Sequence, residues 1–306
     1  MAKPIEDQAE GLRRLLVQDP LRIVTVISGG PGGGKTTTVI NLAVALAQSG
    51  RDVLVIDENA GANNLSGTLG LNAHRDLLDV MRRDKTLEEV IIPGPQGFRL
   101  LSAGRGMRAL EKLNPGDQAH LIDCFGRLVQ PVNVVLVDAA PGRASRLLSL
   151  NFSSHEVVVV VSPEAASITA AYALIKHISG EHGKRRFHVL INKTAAETEA
   201  RMIFDNMERV ANRYLAVSLD FMGFVPPDDK LRQSIRLGRP VIESFPSSIS
   251  VSAFCRVAES LTRWPCHEGE YGNEDRGLKG FMQCLTQGGR PGAMPAGLQG
   301  SQVSHV

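Results

Sequence analysis

The stretch ISGGPGGGKTTTVINLAVALA, residues 27–47, decides the fold of this 306-residue chain. Within it, GGPGGGKT (29–36) satisfies the spacing G-x-x-x-x-G-K-[ST], and the apolar run RIVTVIS (22–28) leads into it. Glycines at this spacing let backbone N–H groups turn toward phosphate oxygens, and the dipole of a following helix adds positive charge. The sequence therefore predicts a phosphate-binding loop that connects a buried strand to a helix.

The residue types in this loop predict how it holds its ligand. We expect Lys35 to reach the β- and γ-phosphates of a nucleotide, and the Thr36 hydroxyl to bind Mg²⁺. The candidate nucleotide contacts in this segment are Gly29, Gly32, Gly33, Gly34, Lys35, Thr36 and Thr37. A nucleotide with bound Mg²⁺ is therefore the predicted ligand.

A second anchor for the metal follows a later apolar run. Asp138 ends NVVLVD (133–138) and begins the pattern D-x-x-x-G that Gly142 completes. A carboxylate at the carboxyl end of a strand lies above the crevice in which such sheets bind ligands, where it can hold the Mg²⁺ shell. Asp138 is therefore predicted to act on the metal together with Thr36.

Short apolar runs alternate with helical patterns along the chain. The predicted strands are RIVTVIS (22–28), DVLVID (52–57), FRLLSA (98–103), NVVLVD (133–138), EVVVVVS (156–162), FHVLIN (187–192) and, more weakly, LDFMGFVP (219–226). Continuous Val, Ile and Leu runs are typical of strands buried on both faces, and helical patterns cover 37–48, 167–179 and 197–215. The predicted class is α/β, a three-layer P-loop NTPase fold with a mostly parallel sheet and helices on both faces.

Composition limits the other classes of function. The net charge of +2 gives no general reason to expect nucleic acid, and the dense basic run at 184–186 is interpreted as a solvated loop edge. Four cysteines lie far apart, which argues against a zinc or iron–sulfur site and hence against an iron–sulfur carrier. The N-terminus lacks the apolar core of a signal peptide, and the apolar runs are too short to cross a bilayer. We expect a soluble cytoplasmic protein.

Five segments carry a resemblance to a known family. They are EDQAEGLRRLL (6–16), LVIDENAGANNLSGTLGL (54–71), SPEAASITAAYALIK (162–176), INKTAAETEARMIFDNM (191–207) and LDFMGFVPPDDKLRQSIRLGRPVIESFP (219–246). With the loop, they resemble the MinD/ParA class of P-loop ATPases and, within it, the FlhG/FleN family of flagellar-number regulators. The resemblance extends over roughly residues 5–285.

The resemblance implies further site residues and partners. Asn192 and the segment around Pro226 and Asp228 would frame the adenine, and ATP would drive formation of a homodimer with two nucleotides between the subunits. In the N-terminal segment, Asp7, Gln8 and Ala9 match the family motif that contacts the SRP-type GTPase FlhF and stimulates its GTP hydrolysis. The alternative for this segment is a helix that docks on its own domain. Flagellar switch-complex proteins and a flagellar transcription activator are further candidate partners.

Two departures from the family pattern concern catalysis. Gly30 stands where the class carries a second loop lysine, which reaches the partner's nucleotide, and Asn59 replaces the second aspartate of the switch I pattern D-x-D. Asp57, the first aspartate, is kept, as are Lys35 and Asp138. An amide is a far poorer proton acceptor than a carboxylate, and the missing lysine removes charge stabilisation. We therefore expect ATP binding, and leave open a hydrolysis-impaired adaptor.

Two further residues bear on catalysis. Ser66 replaces an acidic residue that is common in this stretch of the family. Arg143, directly after the D-x-x-x-G pattern, is a hypothetical source of the missing positive charge, and the alternative is a solvent-exposed arginine. A ParA-type DNA-partitioning ATPase would share the whole core, but it would need a basic face.

The predicted organisation has three parts. Residues 1–19 form the partner-binding helix, 20–265 the MinD-like ATP-binding domain, and 266–306 a flexible tail with an amphipathic helix around 276–287. In that helix, Leu278, Phe281, Met282 and Leu285 share one face with basic edges, suited either to a bilayer interface or to packing on the domain. Family resemblance favours the membrane, and so predicts a cytoplasmic protein attached to the inner face of the plasma membrane.

Overall fold

The computed structural model describes residues 21–30, 32–61, 64–140, 155–264 and 277–287. The N-terminal segment 1–19, with Asp7, Gln8 and Ala9, lies outside the described residues. Arg143 and Gly142 do so as well, together with most of the tail.

Eight strands form one sheet in the order β3-β4-β2-β5-β1-β6-β7-β8. They are β1 (Arg22–Ser28), β2 (Val53–Asp57), β3 (Ile92–Pro93), β4 (Arg99–Ser102), β5 (Val134–Asp138), β6 (His155–Val161), β7 (Arg186–Asn192) and β8 (Ser218–Val225). Only β3 pairs antiparallel; every other described pairing is parallel. The predicted α/β class and mostly parallel sheet are confirmed, and each of the seven predicted strands lies within one residue of its predicted ends.

Helices connect the strands and cover both faces of the sheet. In the described residues they are α1 (Lys35–Gln48), α2 (Leu65–Thr68), α3 (Leu77–Met81), α4 (Leu87–Val90), α5 (Gly104–Ala109), α6 (Pro115–Gly126), α7 (Ala165–His182), α8 (Glu197–Tyr214), α9 (Asp229–Arg236), α10 (Val241–Ser244), α11 (Ile249–Arg263) and α12 (Leu278–Gln287). Short 3₁₀ turns lie at Pro95–Gly97 and Leu110–Lys112. Within these residues, no helix is both long and apolar enough to span a membrane.

Alternation along the buried strands divides the core into layers. In β1, Val24 and Val26 face α1 and α11, whereas Ile23 and Ile27 point to the opposite side. That opposite side is filled by α3, α6 and α12 over one half of the sheet, and by α7 and α8 over the other. Because β1, β2 and β5 are parallel neighbours, their carboxyl ends meet at one edge and bring the predicted site residues together.

The tail helix α12 is part of this core. Phe281, Met282 and Leu285 are at most 3% exposed and pack with residues of α6, including Phe125. Leu278 is partly buried against the same cluster. The residues predicted to face a membrane thus lie inside the fold here, which is the second of the two arrangements that their pattern allowed.

We expect the docking of α12 to be measurable as stability. Replacing the fully buried Phe281 by alanine (Phe281→Ala) should lower the free energy of unfolding by about 3 kcal/mol, because the transfer energy is lost and a cavity remains. Val129→Ala, at a position that is 89% exposed, is the control and should change it by less than about 0.5 kcal/mol. Urea unfolding followed by circular dichroism measures both, and equal small effects would mean that α12 is undocked in solution.

Candidate nucleotide-binding site

The phosphate loop connects β1 to α1, and two of its glycines are required by close contacts. A Cβ on Gly29 would lie 2.4 Å from the backbone nitrogen of Ala171, and one on Gly34 would lie 2.2 Å from Nδ2 of Asn192. Gly32 and Gly34 also adopt left-handed backbone angles, with φ of 80° and 86°. Lys35 then begins α1, so the free N–H groups of the helix N-terminus face the loop, as an anion site requires.

Asp138 lies at the base of the site and is fully buried. Its Oδ2 accepts a hydrogen bond from the Thr36 hydroxyl at 2.7 Å, and its Oδ1 forms an ion pair with Lys35, whose ammonium also donates to the Ala139 carbonyl at 2.6 Å. Burial raises the pKa of Asp138 above its ordinary value, although the charge of Lys35 and the hydrogen bonds act in the opposite direction. Lys35, Thr36 and Asp138 are therefore brought together; the motifs predicted that Thr36 and Asp138 would lie close, but they did not predict the ion pair between Lys35 and Asp138.

The donor set fits Mg²⁺. A threonine hydroxyl and a carboxylate oxygen 2.7 Å apart are hard oxygen donors, which this ion prefers, and it usually completes its shell with water and phosphate. Thr36 and Asp138 would hold the ion, and it would neutralise charge on the phosphates. Thr36 lies in the first turn of α1 and Asp138 ends β5, and the hydrogen bond between them brings both oxygens to one place.

Switch I contributes Asp57 and Asn59, and they are linked to Asp138. Asp57 Oδ1 accepts from the Asn59 backbone N–H at 2.9 Å and from its side-chain Nδ2 at 2.8 Å, while Oδ2 accepts from the Leu65 N–H at 2.6 Å. The same Nδ2 donates to Asp138 Oδ2 at 2.9 Å. Burial, and secondarily the charge of Asp138, raise the pKa of Asp57 to about 6.

Asn59 therefore acts as a neutral bridge between two buried carboxylates. Only the NH₂ end of an amide can donate, so this end must face Asp57 and Asp138, and both of its hydrogens are engaged. An aspartate at the same position would place a third set of acceptor oxygens against these carboxylates. The substitution thus changes the interactions of the site as well as removing a candidate proton acceptor.

Gly30 lies in open space. A Cβ at this position would meet no atom within 4 Å, and its φ is outside the left-handed region. Neither sterics nor backbone conformation requires glycine here, in contrast to Gly29 and Gly34. A lysine could therefore be accommodated without moving the loop.

The predicted adenine residues line a cavity of about 330 Å³ beside the loop. Asn192 and Pro226 are in its wall, and the Asn192 amide also donates to the Gly33 carbonyl at 2.8 Å. Asp228 is at the wall too, but its carboxylate accepts from the Ser248 and Ser250 hydroxyls and caps α9. Sequence reasoning missed four further lining residues: Lys193, Leu231, Arg232 and Ile235.

These features define a protein of the MinD type of P-loop nucleotide-binding fold. Residues 24–241 match the family described as the CobQ/CobB/MinD/ParA nucleotide binding domain, so the chain belongs to that family. The chain is also 36% identical over 268 residues to the antiactivator FleN of Pseudomonas aeruginosa, covering 88% of this chain and 94% of that protein. The predicted resemblance to the FlhG/FleN regulators is confirmed.

Other relatives are consistent with this assignment. The flagellum site-determining protein YlxH of Helicobacter pylori is 25% identical over 276 residues, with 87% of this chain and 90% of that protein covered. Among solved structures, a chain of the MinC:MinD cell division protein complex of Aquifex aeolicus gives a TM-score of 0.61 at 24% identity, covering 82% of this chain and all of that one. MinD from Pyrococcus horikoshii, complexed with Mg-ADP, gives a TM-score of 0.57 at 22% identity, covering 79% and 96%. These two structures support the fold.

The raised pKa of Asp57 predicts a pH dependence of stability. The pKa of Asp57 in the folded chain, about 6, lies above the unfolded value of 3.8, so the folded chain binds this proton more tightly. The resulting stabilisation is complete at a pH below 3.8 and is lost as the pH rises through about 6. Relative to Asp57→Asn, the wild-type chain should lose about 1 kcal/mol between pH 5 and pH 7 in the absence of Mg²⁺.

Urea unfolding of both proteins at the two pH values measures this difference. Asp205→Asn, an exposed position on α8, is the matched control and should leave the pH dependence unchanged. If the free energies of unfolding of the wild type and Asp57→Asn differ by the same amount at both pH values, the raised pKa of Asp57 is contradicted.

Proposed function

We propose that this chain is an ATP-binding switch protein that regulates the number or placement of flagella. The main support is the contact of Lys35 and Thr36, which follow the phosphate loop, with the buried Asp138. In addition, 88% of the chain aligns with FleN. The proposal includes a cytoplasmic protein that dimerises with ATP, attaches to the inner face of the plasma membrane and stimulates an FlhF-type SRP GTPase. Asp7, Gln8 and Ala9 are the proposed contacts to that GTPase.

The name of one relative supports a second kind of partner. FleN of Pseudomonas aeruginosa is described as an antiactivator, which is consistent with a flagellar transcription activator as a partner of this chain too. Switch-complex proteins are a further candidate. A DNA-partitioning function has less support, because the basic run is engaged within the fold: Lys184 donates to the His155 carbonyl at 2.9 Å, and Arg186 pairs with Asp220 at 2.7 Å.

A hydrolysis-impaired adaptor with the same partners is the second candidate function, and Asn59 favours it. In hydrolysis, a side chain must orient the attacking water and positive charge must stabilise the transition state. The Asn59 amide is engaged by Asp57 and Asp138, and position 30 supplies no charge. In this second function the chain remains in its ATP-bound state for a long time, because the bound ATP is hydrolysed slowly.

We expect ATP to bind to the unmodified chain but to be hydrolysed slowly. The double variant Gly30→Lys/Asn59→Asp should hydrolyse ATP at least about 10-fold faster, because one well-placed charge-stabilising group is typically worth more than this. Gly30→Lys alone should unfold like the wild type, whereas Asn59→Asp alone should lose about 1–3 kcal/mol of stability from unpaired acceptors facing two carboxylates.

Phosphate release, measured with and without lipid vesicles, tests these variants. Lys35→Ala serves as the control for contaminating ATPases, and ATP binding is measured separately by calorimetry. A wild-type rate equal to that of the double variant would exclude the adaptor and leave an ordinary ATPase. A failure of the wild type to bind ATP would remove the whole proposal.

Membrane attachment through the tail requires α12 to leave the core. The apolar face that would enter a bilayer is the one that Phe281, Met282 and Leu285 bury against α6. One short helix gives weak attachment, whereas a dimer presents two and gains through effective concentration. We therefore propose that lipid and the domain compete for this face, with ATP-driven dimerisation favouring lipid.

The competition predicts that weakening the docking site increases lipid binding. A Cβ on Gly126 would lie 3.2 Å from the Lys279 side chain, so the larger side chain of Gly126→Leu should crowd the contact between α6 and α12, weaken the docking and raise the vesicle-bound fraction without nucleotide about threefold or more. Gly180→Leu is the matched control, because a Cβ there meets no atom within 4 Å. Co-sedimentation with anionic vesicles measures binding, and equal behaviour of the two variants would argue against the competition.

A further inference from the structure

Two consecutive residues at the end of β7 hold two consecutive carbonyls of the phosphate loop. The Asn192 amide donates to the Gly33 carbonyl at 2.8 Å, and the Lys193 ammonium donates to the Gly32 carbonyl at 2.7 Å. Asn192 is buried, but Lys193 is exposed at the rim of the adenine-side cavity. Two hydrogen bonds from the end of β7 therefore hold the loop, one from the buried Asn192 amide and one from the solvent-accessible Lys193 ammonium.

The backbone of Lys193 is bent to make this contact. Its φ of 64° lies in the left-handed region, which costs a residue with a side chain on the order of 1 kcal/mol. The Lys193 N–H donates to Oδ1 of Asn192 at 3.0 Å, which stabilises the bend. A strained conformation that is held by a neighbouring side chain and directed at the loop is typical of a functional position.

The partner of the Lys193 ammonium is neutral. Among the described residues, no carboxylate lies within 4 Å of its Nζ, so the charge is not neutralised by an ion pair. A phosphate oxygen is a stronger acceptor for an ammonium than a backbone carbonyl, because both partners are then charged. Lys35 is already paired with Asp138, and position 30 carries no side chain, so Lys193 is a second cation available beside the loop.

We propose that Lys193 is a phosphate-binding residue of this site, which moves from the Gly32 carbonyl to the phosphate oxygens of a nucleoside di- or triphosphate. It contributes charge from the adenine side of the loop, within the same subunit. It also links the loop conformation to occupancy, because the carbonyl is released when phosphates are bound. This inference rests on the proposed function, since it presumes that the site takes ATP.

The test compares nucleotides that differ in phosphate number. In the full-length chain with Mg²⁺, Lys193→Met should weaken binding of ADP and ATP about 10-fold or more, as expected for one charge-assisted hydrogen bond, but that of AMP less than about 2-fold. Lys193→Arg should stay within about 3-fold of the wild type, because the charge is kept. Raising the salt concentration should weaken ATP binding more in the wild type than in Lys193→Met.

Two further variants separate binding from folding. Lys193→Gly removes both the charge and the backbone strain, so it should be at least as stable as the wild type and still bind ADP and ATP weakly. Lys176→Met, at an exposed lysine on α7, is the matched control and should change affinity less than about 2-fold. Calorimetric titration and thermal unfolding measure these quantities.

The outcomes distinguish this inference from the function on which it rests. If the wild type binds ATP and Lys193→Met binds it equally well, the inference is overturned and the proposed function stands. An equal loss for AMP, ADP and ATP would place Lys193 on the base or sugar and would also overturn it. A wild type that binds none of the three nucleotides would overturn both.

Discussion

The buried carboxylate of Asp138 is the group on which the rest of the site depends. It ends the central strand β5, accepts from Thr36 and Lys35 of the loop, and accepts from Asn59 of switch I. A carboxylate without solvent must satisfy its charge through such partners, so the loop and switch I are held together by electrostatic necessity. The three segments come together because β1, β2 and β5 are adjacent and parallel.

This arrangement distinguishes the partners of Asp138 from positions 30 and 59. Lys35 and Thr36, the proposed phosphate and metal ligands, are also the partners that satisfy Asp138, so changing them would disturb folding as well as the proposed binding. Positions 30 and 59 are different: the first contacts nothing within 4 Å, and the second retains its links to the carboxylates as an amide. Gly30 and Asn59 are therefore both compatible with the fold.

Most of the fold could be predicted because it depends on local signals. Continuous Val-rich runs indicated strands buried on both faces, and the loop motif placed β1 and α1. The strand β3 was missed since two residues carry no periodicity. For the site, the motifs predicted that Thr36 and Asp138 would act together on the metal, but they did not predict the ion pair between Lys35 and Asp138. Lys193 was missed because its contact with Gly32 depends on a left-handed backbone and joins residues 161 positions apart. The orientation of the Asn59 amide could not be predicted from the sequence either, because one end of an amide donates hydrogen bonds and the other accepts them.

The docked helix α12 has a consequence for how the tail is studied. The segment contributes Phe281, Met282 and Leu285 to the hydrophobic layer that covers one half of the sheet. A shortened chain that ends before residue 277 would expose the side of α6 that these residues cover, and a contiguous apolar surface of this kind promotes association. Deleting the tail would therefore make the protein prone to aggregation, and the same deletion would remove a proposed membrane anchor. Mislocalisation of such a chain would report on aggregation as much as on lost lipid binding.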